Sequence, residues 1–306
     1  MEYKRLGRTG ERIPAMGLGT WQLNVNPEEE VRALRYGIDN GAFVDTAEMY
    51  GSEELVGEAI RGRKVFVATK VSPHHFRHDD VIRSCEASLK RLGVKQIGLY
   101  QLHWPNKRVP ISETMSAMEK LVDDGKIRHI GVSNFSVDEF REAQGSMKRY
   151  DIVSNQVEYS PMVREVEDDG VLEFCRKNKV TLIAYSPFGH GEMFRERYGG
   201  LVELLDGVGK GHGKSAVQVA LNWLISKEPV VTIPKASTVG HVKELLDSMG
   251  WSLDKKETGV IDGTRDFSKK SIQKRLGFLL KNTGAWARLA TKHYSKKNAN
   301  GGRVRS

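Results

Sequence analysis

Four residues of types that together can move a proton stand at, or just beyond, the ends of three consecutive apolar runs. Asp45 closes AFV in GAFVDTAEMYG and Tyr50 follows five residues later; Lys70 follows VFVAT, and His103 follows IGLYQL in LYQLHWP. A free phenol is a poor acid at neutral pH, with a pKa of about 10. A neighbouring ammonium stabilises the phenolate and lowers that value, while a carboxylate keeps the ammonium charged and in place. The histidine adds a polar group that can orient an oxygen, so the set describes a tuned general acid. Taken singly, each residue reads more simply as structure: a buried ion pair, a packing aromatic, a core histidine. Their occurrence together at three successive run ends is what points to a site.

Eight such runs recur along the chain, each ending on a polar residue: AMGLG before Thr20, AFV before Asp45, VFVAT before Lys70, IGLYQL before His103, IRHIGV before Ser133, DIVS before Asn155 and Gln156, VTLIA before Tyr185, and VVTIP before Lys235. Helical segments are expected between or after them near 27–40, 53–62, 78–92, 112–124, 136–148, 164–178, 214–227 and 238–249. Asn26-Pro27 with three following glutamates, and Ser136 ahead of Asp138 and Glu139, mark helix starts. Strand–helix alternation repeated eight times predicts an α/β fold, a (β/α)8 TIM barrel. The C-terminal strand ends of such a barrel form the active-site face. Residues 2–14, with GRTGE as a turn, predict a hairpin that plugs the other end. The segment 187–213 follows the seventh barrel strand and reads as a glycine-rich loop on the active-site side.

Charge divides the 306 residues in two. Residues 263–306 hold 12 Lys and Arg against Asp266 alone, whereas 1–262 hold 36 Lys and Arg against 38 Asp and Glu. The expected organisation is a catalytic barrel over 1–262 and a basic C-terminal extension over 263–306. A nearly neutral barrel argues against a nucleic-acid-binding body. In the extension, Ile272, Leu276, Leu279, Leu280, Trp286 and Leu289 recur among cations at loosely helical spacing. That pattern suits contact with nucleic acid or another anionic surface; a lid or packing segment is the first expectation, and it is what the family resemblance given below implies. No apolar stretch approaches the roughly 20 residues of a membrane span, and the first residues lack a signal-peptide core, so a cytoplasmic location is expected. Cys85 and Cys175 have no metal-ligand spacing and read as reduced structural thiols.

Three nearer signals fail. GKGHGKS at 209–215 has Val208 where a P-loop needs its first glycine, GLGTWQ lacks the third glycine of a dinucleotide fingerprint, and PHHFRH (His74, His75, His78) has no HExxH pattern. No metal is expected.

GLGTW at 17–21, GAFVDTAEMYG, VATK, LYQLHWP, GVSNF, NQVEYSPM, AYSPFG and IPKAS occur in an order that resembles the aldo-keto reductase family over about residues 3–253. The resemblance implies a monomeric or weakly associated NADPH-dependent enzyme that reduces aldehydes or ketones to alcohols. By it Tyr50 donates the proton, Asp45 and Lys70 tune it, and His103 orients the carbonyl. Trp21 and Trp104 would line the pocket. Ser133, Asn134 and Gln156 offer groups suited to a nicotinamide carboxamide, and Tyr185 a flat face for the ring. Ser186 and Phe188 begin the loop over the pyrophosphate, and Lys235 meets the 2′-phosphate. Gly19, Thr20, Ser237, His241 and Glu244 complete the expected cofactor contacts. Family members usually carry Arg six and Asn ten residues after this lysine, where this chain has His241 and Leu245. A bidentate phosphate donor and an adenine partner are thereby lost, so NADH stands beside NADPH as a second cofactor. Two other readings stay open. One is an NADP(H)-binding regulatory or sensor subunit with little turnover. The other is an isomerase or aldolase that uses Lys70 as a Schiff base.

Overall fold

The computed structural model describes residues 2–267 and Leu276. Two three-residue strands, β1 (Tyr3–Arg5) and β2 (Arg12–Pro14), pair antiparallel about the glycine-containing turn, as the sequence predicts. The alternation follows: β3 (Gly17–Gly19), α1 (Pro27–Asp39), β4 (Phe43–Asp45), α2 (Glu53–Ile60), β5 (Val67–Val71), α3 (His78–Leu92), β6 (Ile97–Leu102), α4 (Ile111–Asp123), β7 (Ile127–Ser133), α5 (Val137–Ser146) and β8 (Ile152–Glu158). Then come α6 (Glu165–Asp168), α7 (Val171–Asn178), β9 (Thr181–Tyr185), α8 (Gly199–Gly209), α9 (Ala216–Ile225), β10 (Val230–Thr232), α10 (Val239–Leu246) and α11 (Lys255–Asp262). Sequence expectation and structure agree closely on the strands. They differ at 164–178, where Gly170 turns left-handed (φ 82°) and splits one expected helix into α6 and α7.

The described residues form two compact units, 2–190 with 217–252, and 191–216 with 253–267. In the first, β3 to β10 lie parallel in sequential order. The sheet closes on itself through a parallel bridge between Met16 and Thr232 and through the Thr232 N–H donating to the Ala15 carbonyl at 3.0 Å. Gly19 N–H donates to Pro234 O at 3.0 Å, and a Cβ on Gly19 would lie 2.7 Å from the Ile233 carbonyl, so the seam requires glycine there.

Side chains alternate across a strand, and this sets the contents of the barrel. Phe43, Ala68, Leu99, Val153, Ile183 and Val231 fill its lower interior together with Leu6 and Ile13 from the hairpin. Two residues further along three of these strands, the same inward face carries Asp45, Lys70 and Gln101.

The hairpin is anchored by Lys4, whose ammonium donates to Ile225 O (2.5 Å), Val230 O (2.6 Å) and Lys227 O (2.9 Å), at the end of α9 and the start of β10. Burial lowers its pKa to about 8, opposed by the charges of Glu228 and Glu2.

In the second unit the segment expected as a loop over 187–213 contains α8, which buries Leu201, Leu204, Leu205 and Val208, and α8 packs with α11. A capping box between Asp254 and Glu257 starts α11, and His212 Nε2 lies 2.8 Å from Glu257 Oε1. The expectations for 268–306, Leu276 apart, fall outside the described residues. Among the described residues no helix is long and apolar enough to cross a membrane.

Lys4→Met keeps most of the buried stem but leaves three carbonyls without their donor. Thermal unfolding should show a loss of about 2–4 kcal/mol. An unchanged midpoint would mean that water replaces the ammonium and that the plug does not depend on it.

Candidate active site

Asp45 and Lys70 end neighbouring strands inside a closed barrel, so neither charge reaches solvent: Lys70 is fully buried and Asp45 is 1% exposed. Lys70 Nζ donates to Asp45 Oδ1 at 2.5 Å, to the Thr46 carbonyl at 2.8 Å and to the Tyr50 hydroxyl at 3.4 Å. Tyr50 ends a short 3-10 turn (Glu48–Tyr50) that Gly51 terminates in the left-handed region. Its hydroxyl is 3.3 Å from His103 Nε2. Trp104 stacks on the His103 ring at 4.1 Å and 19°, leaving the indole exposed. The four residues singled out by type and spacing are therefore linked by hydrogen bonds in the order Asp45, Lys70, Tyr50, His103.

Their electrostatics depart from the sequence expectation in one respect. Burial would push the Lys70 ammonium towards its neutral form, but the charges of Asp45 and Tyr50 overcome it and leave the pKa raised. For Tyr50, burial outweighs the pull of Lys70, and Asp45 acts with burial, so the phenol sits above its ordinary value and not below it. Desolvation of the oxyanion, which the order of residues does not reveal, decides the sign. Burial, aided by the Lys70 charge, lowers His103 to about 3. The imidazole is neutral, and its Nδ1 is buried with no hydrogen-bond partner.

A second group of expected residues adjoins the first. Asn134 adopts a left-handed backbone (φ 62°), and its Nδ2 donates to His103 O (3.1 Å) and Ser133 Oγ (3.0 Å). Tyr185 OH donates to Asn134 Oδ1 at 2.9 Å, Ser133 Oγ to Gln156 O at 2.8 Å, and Gln156 Nε2 to Asp45 Oδ2 at 2.8 Å. Tyr185 is half-buried at the end of β9. Ser186 (φ 49°) hydrogen-bonds His190 Nε2 at 3.1 Å, and His190 packs edge-on against exposed Trp21 at 4.9 Å. Phe188 is half-buried nearby in the chain.

Other expected residues are placed differently. Thr20 is fully buried, and its hydroxyl is spent on Asp45 O (3.1 Å) and Ser52 Oγ (3.0 Å), while Gly19 belongs to the barrel seam. Lys235 is exposed and Ser237 half-exposed just ahead of α10, whose N-cap Thr238 accepts from His241 N. His241 is exposed and Glu244 half-buried on that helix, while Leu245, where an adenine partner was sought, is buried in the core. A cation beside a helix N-terminus suits a phosphate, and the neutral amides and hydroxyls at the other end suit a carboxamide and an aromatic ring. This donor set fits a nicotinamide dinucleotide.

Sequence reasoning missed two residues. Gln101 lies two positions before His103 and so on the same inward face, but inside an apolar run it reads as strand. Glu48 accepts from Ser72 N and from His75 Nδ1 (3.0 Å), which ties the Tyr50 turn to the loop after β5. Among the described residues no group of three His, Cys, Asp or Glu could hold a metal ion.

The fold and this tetrad define a barrel with a hydrogen-bonded Asp45, Lys70, Tyr50 and His103 set at the C-terminal ends of its strands. The model of the Aldo/keto reductase family matches residues 15–266, and the chain belongs to that family. It is similar to methylglyoxal reductase YeaE of Escherichia coli strain K12, 37% identical over 274 residues that cover 86% of this chain and 95% of that protein. Its fold matches the thermostable aldo-keto reductase Tm1743, solved with the inhibitor epalrestat, at a TM-score of 0.81 and 43% identity over 86% of this chain and 99% of that one. A Klebsiella pneumoniae aldo-keto reductase in complex with NADPH matches at 0.78 and 36% identity, over 86% and 95% of the two chains.

A neutral His103 has a spectroscopic consequence. Its ring resonances, assigned by difference against His103→Asn, should not move between about pH 5 and pH 9. A titration with a midpoint near the usual histidine value of about 6.5 would show that the ring is hydrated and that the contacts above do not persist in solution.

Proposed function

We propose that the chain is an NADPH-dependent reductase of small aldehydes and ketones, 2-oxoaldehydes such as methylglyoxal foremost, with Tyr50 as the proton donor. The observation that carries this reading is the position of the Tyr50 hydroxyl, within reach of both Lys70 Nζ and His103 Nε2. NADPH, when bound, supplies the hydride that reaches the carbonyl carbon.

The chain's own residues do the rest. Ser133, Asn134 and Gln156 hold the carboxamide and Tyr185 flanks the ring. Lys235 and Ser237, ahead of α10, take the 2′-phosphate. His241 is a weaker phosphate partner than arginine, which leaves room for NADH. An unpartnered buried nitrogen is tolerated more cheaply as a lone pair than as an N–H, which places the His103 proton on Nε2. His103 can then donate to a carbonyl oxygen beside Tyr50. A phenol raised by burial stays protonated at neutral pH, as reduction requires. Lys70 stabilises the phenolate left when the proton has moved, and Asp45 keeps Lys70 charged. The small 2-oxoaldehyde preference rests on the likeness to a methylglyoxal reductase. We take 1–262 as the catalytic domain and 263–306 as a basic C-terminal extension.

The sign of the pH dependence follows from the acid. Reduction should be level from about pH 6 to about pH 10 and fall above that as Tyr50 ionises, with no acid limb from His103. Oxidation of NADPH, beside NADH, with methylglyoxal and a panel of aldehydes, ketones and sugars tests the assignment. Tyr50→Phe should lower kcat by about 10²–10⁴. Equal turnover in that variant would remove Tyr50 from the chemistry. Tight NADPH binding without turnover on any carbonyl would favour a regulatory subunit instead.

A further inference from the structure

Gln101 is fully buried among residues assigned to chemistry, yet it reaches neither the mouth nor any expected ligand. Its Nε2 donates to Asp45 Oδ2 at 3.2 Å, and its Oε1 accepts from Gln156 Nε2 at 3.3 Å. Gln156 Nε2 donates to the same Asp45 oxygen at 2.8 Å. Asp45 thus has one oxygen held by Lys70 and the other held by two amides. The ionised carboxylate accepts only, so it dictates which way both amides face.

The adjacent strand leaves room for this side chain. Gly131 pairs with Gln101 across β6 and β7. A Cβ on Gly131 would stand 2.9 Å from Gln101 Cγ and 2.5 Å from Ser154 Oγ. A larger residue at 131 would force Ser154 and Gln101 to shift. A buried amide costs free energy unless it is hydrogen-bonded, and leucine would fill nearly the same volume without that cost.

We propose that Gln101 is a positioning residue for the reaction: its amide fixes the Asp45 carboxylate, which fixes Lys70 and thereby the Lys70–Tyr50 hydrogen bond. The inference rests on the reading of Tyr50 as the proton donor. Lys70 divides its three donors among Asp45, Thr46 O and Tyr50. When the amide is removed, Asp45 keeps more of its charge unscreened and turns about its side-chain torsions. It then draws Lys70 away from the longer bond to Tyr50, and the phenolate loses its nearest cation.

Gln101→Leu and Gly131→Ala test this in the full-length, ligand-free protein. Tyrosinate absorbance is followed against pH, with the Tyr50→Phe curve subtracted to isolate Tyr50. In Gln101→Leu its midpoint should rise by about one pH unit, and Gly131→Ala should move it in the same direction. In the reductase assay kcat should fall about tenfold while KM for the carbonyl stays within about twofold. A Gln101→Leu protein with a lowered melting temperature but an unmoved Tyr50 titration would overturn the proposal and leave a packing role. If Gln101→Leu does not fold, Gly131→Ala decides by the same titration. If the wild type turns over no carbonyl, the functional reading fails, while the titration still decides whether Gln101 governs Tyr50.

Discussion

Everything in the upper barrel depends on one buried ion pair. Moving a carboxylate and an ammonium out of water costs several kcal/mol per ion, and their attraction offsets this only when the remaining donors and acceptors are also satisfied. Here they are. Lys70 meets Asp45, Thr46 O and Tyr50, and Asp45 meets Lys70, Gln101 and Gln156. The partners come from β4, β5, β6 and β8 and from the turn after β4. Only a closed sheet brings strands so far apart in the chain to one point, so the ion pair and the seam at Gly19 require each other.

How far this could be read beforehand depends on what each residue type discloses. An aspartate or a lysine at the end of an apolar run is conspicuous because burial is expensive for it, and so Asp45, Lys70 and His103 stood out with their strands. Gln101 carries no charge and sits within IGLYQL, where its neighbours hide it; only the two-residue period to His103 marks its face. The second unit was obscured for another reason. The glycines around LVELLDGV suggest a loop, yet the apolar spacing within it makes α8 once those side chains have somewhere to pack. The short α11 depends on a capping box whose signal, Asp254 to Glu257, spans only four residues and has no long apolar run beside it.

The sign of the Tyr50 shift shows the limit most clearly. Composition names the groups around the phenol, and charge alone predicts a lowered pKa. Burial is a property of the folded whole, and it outweighs Lys70. In the proton-donor role proposed for Tyr50 a raised value is no defect, because that role gives up the proton only when an oxyanion is forming. The phenol stays protonated until a nearby oxygen gains charge, and Lys70 then stabilises what is left. The same desolvation keeps His103 neutral, so a single physical cause leaves both groups uncharged and able to donate beside a fixed cation.

The barrel interior divides along its axis in a way that separates stability from chemistry. Phe43, Ala68 and Leu99 contribute apolar area below, and Asp45, Lys70 and Gln101, each two residues further on, contribute polar groups above. A shift of one residue in any of these strands would turn both layers to the helices and lose both at once. The lower layer, sealed by the Lys4-anchored hairpin, therefore secures the register that the upper layer needs. In return the polar layer forgoes apolar burial, because its hydrogen bonds roughly offset the desolvation they require. The lower interior must then supply the net stability that lets a charged pair and two amides be held still in the site.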